Sequence, residues 1–264
     1  MPEWSIWNAE RAQMTPALRR DEMVRRAQSG QRLGVEALAL EFGTSRETIR
    51  RDLAALDRQG ALRRVHGGAR PGGEEGPFQD RLRAHVEAKR AMARHLAQGL
   101  RPGDSLFIDT GSTTQFLAEE IALCKGLIII TNSADIANLC QKGEGNRVFL
   151  IGGEFRAEGR ESVGPLAVAQ IGQLRAAQVV LTVAAVTERG VYDIDPQEAE
   201  IARAMVAQAD QVTVLADGSK MGRAGVFEVC PMARVGRIVT DAMDTPLRLA
   251  AEAAGVFVDI VTVA

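Results

Sequence analysis

An aspartate, a glycine and four hydroxyl residues follow one another in Asp109-Thr110-Gly111-Ser112-Thr113-Thr114, directly after the apolar run Leu106-Phe107-Ile108. A strand that stops at glycine and hydroxyls and turns into a helix presents backbone N–H groups and the positive end of the helix dipole to an anion. A carboxylate beside such a loop can act as a base or accept a bond from a hydroxyl. Comparable polar stops recur at Thr131-Asn132-Ser133, Gly152-Gly153, Asp217-Gly218-Ser219-Lys220 and Thr240-Asp241. Gly111, Ser112 and Thr113 at one helix start and Asn132 and Ser133 at another can cradle a phosphate. Lys220, one of only four lysines, supplies a cation, and Asp109, Asp195 and Glu198 can accept bonds from sugar hydroxyls. Two commoner phosphate sites are disfavoured: the chain has no G-x-x-x-x-G-K-[ST], and no G-x-G-x-x-G follows a strand. The three cysteines, Cys124, Cys140 and Cys230, and the three histidines, His66, His85 and His95, show no metal-ligand spacing. No metal and no cofactor is expected.

These loops need a frame. From residue 105 onward the chain alternates apolar strands and helices, with strands expected near 105–109, 127–131, 147–151, 178–184, 211–216, 237–240 and 256–262. Helices are expected near 113–122, 134–141, 165–174, 196–209 and 245–254. Repeated βα units of this length predict a doubly wound, mostly parallel sheet with helices on both faces. Ligands of such sheets bind at the carboxyl ends of the strands, where the polar loops fall. One long helix is expected over 78–98 as the lead into this body, with His85 and His95 on its solvated, arginine-rich face.

A second kind of chemistry is written in the first seventy residues. They carry thirteen Arg, no Lys and nine acidic residues, whereas the remainder carries nineteen basic and twenty-five acidic residues. A basic head on an acidic body implies two tasks. Val35, Leu38, Ala39 and Phe42, then Ile49, Leu53 and Leu56, follow helical spacing on either side of Gly43-Thr44-Ser45. This is helix, tight turn, helix, with Thr44 or Ser45 as cap of the second helix and Glu47 completing a capping box with Thr44. In that arrangement the second helix enters the DNA major groove. Ser45, Arg46, Thr48 and Arg50 then face bases or phosphates, which the planar fork of arginine can grip in pairs. ALRRVHGGAR reads as a hairpin, a wing in which Arg63, Arg64 and His66 lie beside the backbone. The segment 71–77, rich in glycine and proline, reads as a linker. This divides the chain into an extension over 1–14, a DNA-binding domain over 15–70, the linker, and an α/β domain over 78–264. Trp4, Ile6 and Trp7 in the extension have no assigned role.

The run EALALEFGTSRETIRRDLAALDRQGALRRVHGGA, with its T-I-R-R-D-L core and R-V-H-G-G-A close, closely resembles the head of the DeoR family of transcriptional regulators. The likeness continues from about Phe78 to Asp241 through Arg81, Lys89, D-T-G-S-T-T, T-N-S, G-G with Arg156, Ser162-x-Gly164, D-P-Q-E-A and D-G-S-K. It implies a winged helix-turn-helix joined to a sensor similar in fold to ribose-5-phosphate isomerase, binding phosphorylated sugars or their derivatives. It adds Arg51 to the DNA-reading residues of the second helix, and Thr110 and Gly153 to Asp109, Gly111, Ser112, Thr113, Asn132, Ser133, Asp195, Glu198 and Lys220 as effector residues. The expected protein is a cytoplasmic regulator, a repressor of carbohydrate or related genes. Its partners are a double-stranded DNA operator, a small phosphorylated sugar-like effector and further copies of itself, as a homodimer or homotetramer; no membrane is involved. The segment Ala184 to Tyr192 departs from the family pattern, as do Tyr192 and Arg203, which leaves open an altered or lost pocket. A sugar-phosphate isomerase or deaminase with an accessory head is the enzyme alternative; the head and the lack of a histidine in any pocket loop argue against it, so no catalytic residue is assigned.

Overall fold

The computed structural model describes residues 15–28, 33–58, 62–65, 68–71, 78–223 and 225–263. The chain divides into two compact units, one ending at Glu75 and the other beginning at Gly76. The expected extension over 1–14, His66, and residues 72–77 of the expected linker lie outside the described residues.

The first unit comprises α1 (Pro16–Gln28), β1 (Leu33–Gly34), α2 (Val35–Glu41), α3 (Arg46–Arg58), β2 (Leu62–Val65) and β3 (Gly68–Pro71). Its core is small: Met23, Leu33, Val35, Leu38, Phe42, Ile49, Leu53, Leu56 and Leu62. Helix α2 stops because Gly43 takes a left-handed φ of 60°, which glycine adopts without steric cost. Ser45, rather than Thr44, caps α3, its Oγ accepting from the Thr48 N–H at 3.0 Å. The hairpin pairs β2 with β3 antiparallel, from Val65 opposite Gly68 to Leu62 opposite Pro71. Pro71, expected to open the linker, is therefore the last residue of a strand. A buried ionic pin ties α1 to α3: Asp52, 1% exposed, accepts from Arg19 Nε at 2.7 Å and from Arg20 Nε at 2.9 Å.

The second unit opens with α4 (Phe78–Arg83) and α5 (Val86–Ala97). The single helix expected over 78–98 is broken at His85, whose φ of 53° is left-handed and cannot continue an α-helix. There follow β4 (Ser105–Ile108), α6 (Ser112–Ile121), β5 (Ile128–Thr131), α7 (Ala134–Cys140), β6 (Arg147–Leu150), β7 (Glu154–Arg156), β8 (Glu161–Val163) and α8 (Pro165–Ile171). The remainder is β9 (Ala176–Leu181), β10 (Ala185–Val186), β11 (Gly190–Asp193), α9 (Pro196–Ala207), β12 (Ala209–Leu215), β13 (Phe227–Pro231), β14 (Arg237–Thr240), α10 (Thr245–Ala253) and β15 (Phe257–Ile260). Seven strands form one sheet in the order β15-β14-β12-β9-β4-β5-β6, and each of its pairings is parallel.

Side chains alternate across this sheet, as the two-residue period of a strand requires. Phe107, Val179 and Leu181 join the core on one face, while Leu106, Ile108 and Val180 join the core on the other. Both faces are buried, which explains the nearly continuous apolar strands. Two pieces stand outside the expected pattern: the β7–β8 hairpin, and a small antiparallel sheet in the order β10-β11-β13. Among the described residues no helix is long and apolar enough to cross a membrane. Burial pushes the Cys140 thiol up to about 12 and the Cys230 thiol up to about 11, as suits apolar core cysteines.

Candidate functional site

The sheet of the second unit reverses its winding at β4. From there the chain proceeds through β5 and β6 on one side, then returns to β9 on the other and continues through β12. The loops leaving β4 and β9 at their carboxyl ends therefore part, and such a switch point is where open α/β sheets take ligands. The loop after β4 is the D-T-G-S-T-T stretch. Asp109 donates its N–H to Val180 O at 3.1 Å, which holds the start of that loop against β9. Gly111 has to be glycine, because a Cβ there would lie 1.8 Å from Thr182 Oγ1.

Hydrogen bonds link the sequence-predicted residues across three loops. Asp109 Oδ1 accepts from the Thr110 N–H at 2.8 Å, and Thr110 Oγ1 donates to Asn132 Oδ1 at 3.0 Å. Asn132 Nδ2 in turn donates to Ser162 O at 3.2 Å and to Glu161 Oε2 at 3.3 Å. Thr110, Ser112, Thr113, Asn132 and Ser133 are all buried. Ser133 spends its hydroxyl on capping α7. The N-terminus of α6 receives a cation: Lys89, 3% exposed, donates from Nζ to Ser112 Oγ at 2.9 Å and also to the Arg81 carbonyl. A buried ammonium at the first residue of a helix, next to the backbone N–H groups that have no partner within the helix, is an arrangement that favours an anion.

Asp195 and Glu198 come together with Arg156 of the β7–β8 hairpin, at 2.9 and 3.8 Å. Asp195 is also the N-cap of α9, accepting from the Gln197 and Glu198 N–H groups at 2.8 and 3.0 Å. Burial works against its charge, but Arg156 and these N–H groups outweigh it and hold its carboxyl below the usual range. Asp109 is displaced the other way: burial, then the neighbouring charges of Glu161, Glu198 and Asp193, raise its carboxyl well above the ordinary value. Glu161, also buried, is raised by desolvation and by Asp195 and Asp193, against the pull of Arg156 and Arg81. Asp217 is opposed by burial, yet bonds from Ser219 and the charges of His85, Lys220 and Lys89 keep it low. His85, which sequence spacing places on a solvated face, is therefore close enough to Asp217 to act on it. Gly153 is the exception among the predicted residues: it is exposed, and a Cβ there would meet Val163 O at 2.6 Å, so hairpin closure explains the glycine.

Sequence reasoning passed over Lys89 and Glu161 as site residues. Lys89 had a signal, being a lone lysine among arginines on its helix. Glu161 had none, because only the hairpin fold carries it beside Asn132. The departing segment 184–192 forms the β10–β11 hairpin, turned by a Thr187 and Gly190 pair, with Glu188 and Arg189 exposed at its tip. Tyr192 packs against Gly225, where a Cβ would come within 2.1 Å of its own, and its hydroxyl reaches Glu228 at 3.3 Å.

In the first unit Ile49 and Leu53 of α3 are buried, whereas Ser45, Arg46, Arg50 and Arg51 are exposed and Thr48 is half-buried. Arg46 lies 3.2 Å from Glu36 and Arg50 lies 3.8 Å from Glu47. Exposed pairs of this kind hold their arginines loosely. Arg63 and Arg64 belong to β2; their side chains lie outside the described residues.

A helix-turn-helix unit and a switch-point α/β unit on one chain define a two-part regulator with a reading head and a sensing body. Residues 19–71 match the DeoR-like helix-turn-helix domain, and residues 84–242 match the DeoR C terminal sensor domain. The chain belongs to the DeoR family of transcriptional regulators. It is 32% identical over 228 residues to the transcriptional repressor AccR of Agrobacterium fabrum, covering 84% of this chain and 88% of that one. It is 31% identical over 213 residues to the glycerol-3-phosphate regulon repressor of Escherichia coli, covering 80% and 84%. Among solved structures, ribose 5-phosphate isomerase A of Methanocaldococcus jannaschii is similar at 14% identity and a TM-score of 0.37, covering 52% and 55%; so distant a likeness carries no argument.

Proposed function

We propose that this protein is a transcriptional repressor whose affinity for operator DNA is set by a small phosphorylated, sugar-like effector. Residues 15–70 act as the reading domain: Arg46, Arg50 and Arg51, with Ser45 and Thr48, meet the major groove. Arg63, Arg64 and His66 flank it. Residues 78–264 act as the sensor, and 71–77 as the linker that joins it to the reading domain. The observation that carries the sensor reading is the buried Lys89 ammonium on Ser112 at the start of α6. The phosphate sits there, with Gly111, Thr113 and Lys220 around it, and the hydroxylated end extends toward Asp109, Thr110, Asn132, Asp195 and Glu198. Ser133 and Gly153 support this site through the cap and the hairpin.

One relative is by name a glycerol-3-phosphate regulon repressor, and this supports a phosphorylated metabolite as the signal. No bond need be broken: binding acts by favouring one of two arrangements, so the ligand must bind them unequally. The protein works in the cytoplasm as a homodimer or homotetramer, because two heads are needed for two half-sites. The test combines a thermal-shift screen against sugar phosphates with gel-shift assays on DNA upstream of its own gene. A specific ligand raises the melting temperature by mass action and changes a salt-sensitive DNA affinity. A screen without any stabilising phosphate ester sinks the sensor reading, and an absence of salt-sensitive DNA binding sinks the repressor reading.

A further inference from the structure

The effector site is electrically two-ended. At one end Lys89 meets Ser112 at the first residue of the ten-residue helix α6, with Lys220 and His85 near enough to act on Asp217. At the other, Asp109 feels the charges of Glu161, Asp193 and Glu198, and Glu161 feels Asp195 as well. Two guanidinium groups, Arg156 and Arg81, act on Glu161 there, so carboxylates outnumber cations. Arg156 is bound to Asp195 at 2.9 Å and lies 3.8 Å from Glu198, so Asp109, Glu161 and Asp193 share a region in which Arg81 is the other guanidinium that acts on Glu161.

Two of these carboxyls, Asp109 and Glu161, have acceptor capacity left. Asp109 uses Oδ1 for the Thr110 N–H. Glu161 is 1% exposed; its Oε2 accepts from Asn132 at 3.3 Å, and its Oε1 is buried with no hydrogen-bond partner. Buried acceptors are rarely left unmade, and a buried charge is paired or neutralised. A hydroxyl supplies one proton and no charge, whereas an ammonium supplies three donors and a full positive charge.

Building on the effector-site reading above, we propose that the effector is a phosphorylated amino sugar, its phosphate on Lys89 and the start of α6 and its protonated amine between Asp109 and Glu161. Glu161 is then the residue that selects the amine. A neutral sugar phosphate fills the same cradle and satisfies the hydrogen bonds at most, leaving the excess negative charge in place.

Calorimetry and thermal shift on the full chain test this with three ligands of one skeleton: glucosamine 6-phosphate, glucose 6-phosphate and N-acetylglucosamine 6-phosphate. The expected result is at least tenfold tighter binding of the free amine than of either uncharged form. Glu161→Gln keeps the shape and removes the charge; it should reduce the advantage of the amine over glucose 6-phosphate to less than threefold, the ratio of the two affinities being the readout. Asp109→Asn should reduce the preference in the same way, which guards against a folding defect in one variant. Equal or weaker binding of the amine, or a preference untouched in both variants, overturns the proposal and leaves the effector-site reading standing. Failure of all three to bind, beside another phosphate ester that stabilises the protein in the wider screen, overturns this inference alone; failure of the whole screen removes both.

Discussion

The two units treat polar residues in opposite ways. In the first, the candidate binding side chains Arg46 and Arg50 stand in water with side-chain exposures of 63% and 59%, and the deeply buried Asp52 pins helices together. In the second, the candidate binding residues Asp109, Thr110, Ser112, Thr113 and Asn132 are themselves buried, and hydrogen bonds join Asp109 to Thr110 and Thr110 to Asn132. A surface for a large rigid partner can be added to a fold without being part of its core. A pocket for a small ligand has to be built into the core, so its residues carry stability as well as binding. Substitutions should therefore separate the two roles in the head and confound them in the body.

The largest effect on folding is expected at the point where the head reverses this rule. Asp52→Ala strands Arg19 and Arg20 against each other, with Arg19 8% exposed. Losing one partner of a buried pair costs about 3–5 kcal/mol. Urea melts should show the head unfolding early while the body keeps its transition. A head that keeps its midpoint would mean that the apolar core of α1 and α3 suffices and that Asp52 is spent on something else.

Gly111→Ala is the corresponding break in the body. The new Cβ would lie 1.8 Å from Thr182 Oγ1 and 2.9 Å from its Cβ, and overpacking of this sort costs about 1–3 kcal/mol. Phosphate-ester binding should weaken together with the melting temperature. The double variant Gly111→Ala with Thr182→Ala should recover part of both. An unchanged melting temperature alongside abolished binding would show that the pocket loop is less integral to the core than its hydrogen bonds suggest.

Much of this contrast can be read from the sequence, though unevenly. The parallel sheet was legible because each strand is a short apolar block ending in a polar loop, and the helix-turn-helix because Val35, Leu38, Ile49 and Leu53 keep helical spacing. The loop residues at the switch point were legible for the same reason. The break at His85 was not, since nothing in the spacing marks a left-handed residue inside an apolar-periodic run. Nor was the β7–β8 hairpin, whose strands are three residues each, too short for an alternation to declare itself. The candidate site residues that depend on it, Arg156 and Glu161, were out of reach as a constellation because their proximity is tertiary.

Acid should move Glu22 of the head and the Asp109–Glu161 group of the body in opposite directions. In the head, bonds from Arg25 and Arg26 lower Glu22 from 4.5 to about 2. Its contribution is present above the ordinary glutamate value and fades as pH falls through about 2. In the body, Asp109 and Glu161 are raised, so their contribution is full below the ordinary carboxylate range and is lost as pH rises through the raised values. Melting curves from about pH 4 to about pH 8 should show Asp109→Asn gaining on the parent protein as pH rises. Glu22→Gln should show a deficit that shrinks toward acid. An Asp109→Asn difference that stays flat with pH would mean that its neighbours do not strain it.

The smallest effect on folding belongs to the residues proposed to matter most for DNA. Arg46→Ala and Arg50→Ala remove only exposed pairs to Glu36 and Glu47, and surface changes of this kind stay within about 0.5 kcal/mol. Operator affinity should nonetheless fall by about 1–3 kcal/mol if either arginine grips a base in a paired contact. Repeating the titration at several salt concentrations tells that role from phosphate binding alone. Removing an arginine that reads a base lowers affinity for the operator and spares unrelated DNA. Removing one that only grips phosphate weakens both and flattens the salt slope by about one. Full retention of operator affinity in the double variant would place the reading surface elsewhere than the exposed face of α3. The opposition between head and body would then fail at its first term, because an exposed arginine surface would have no partner to explain it.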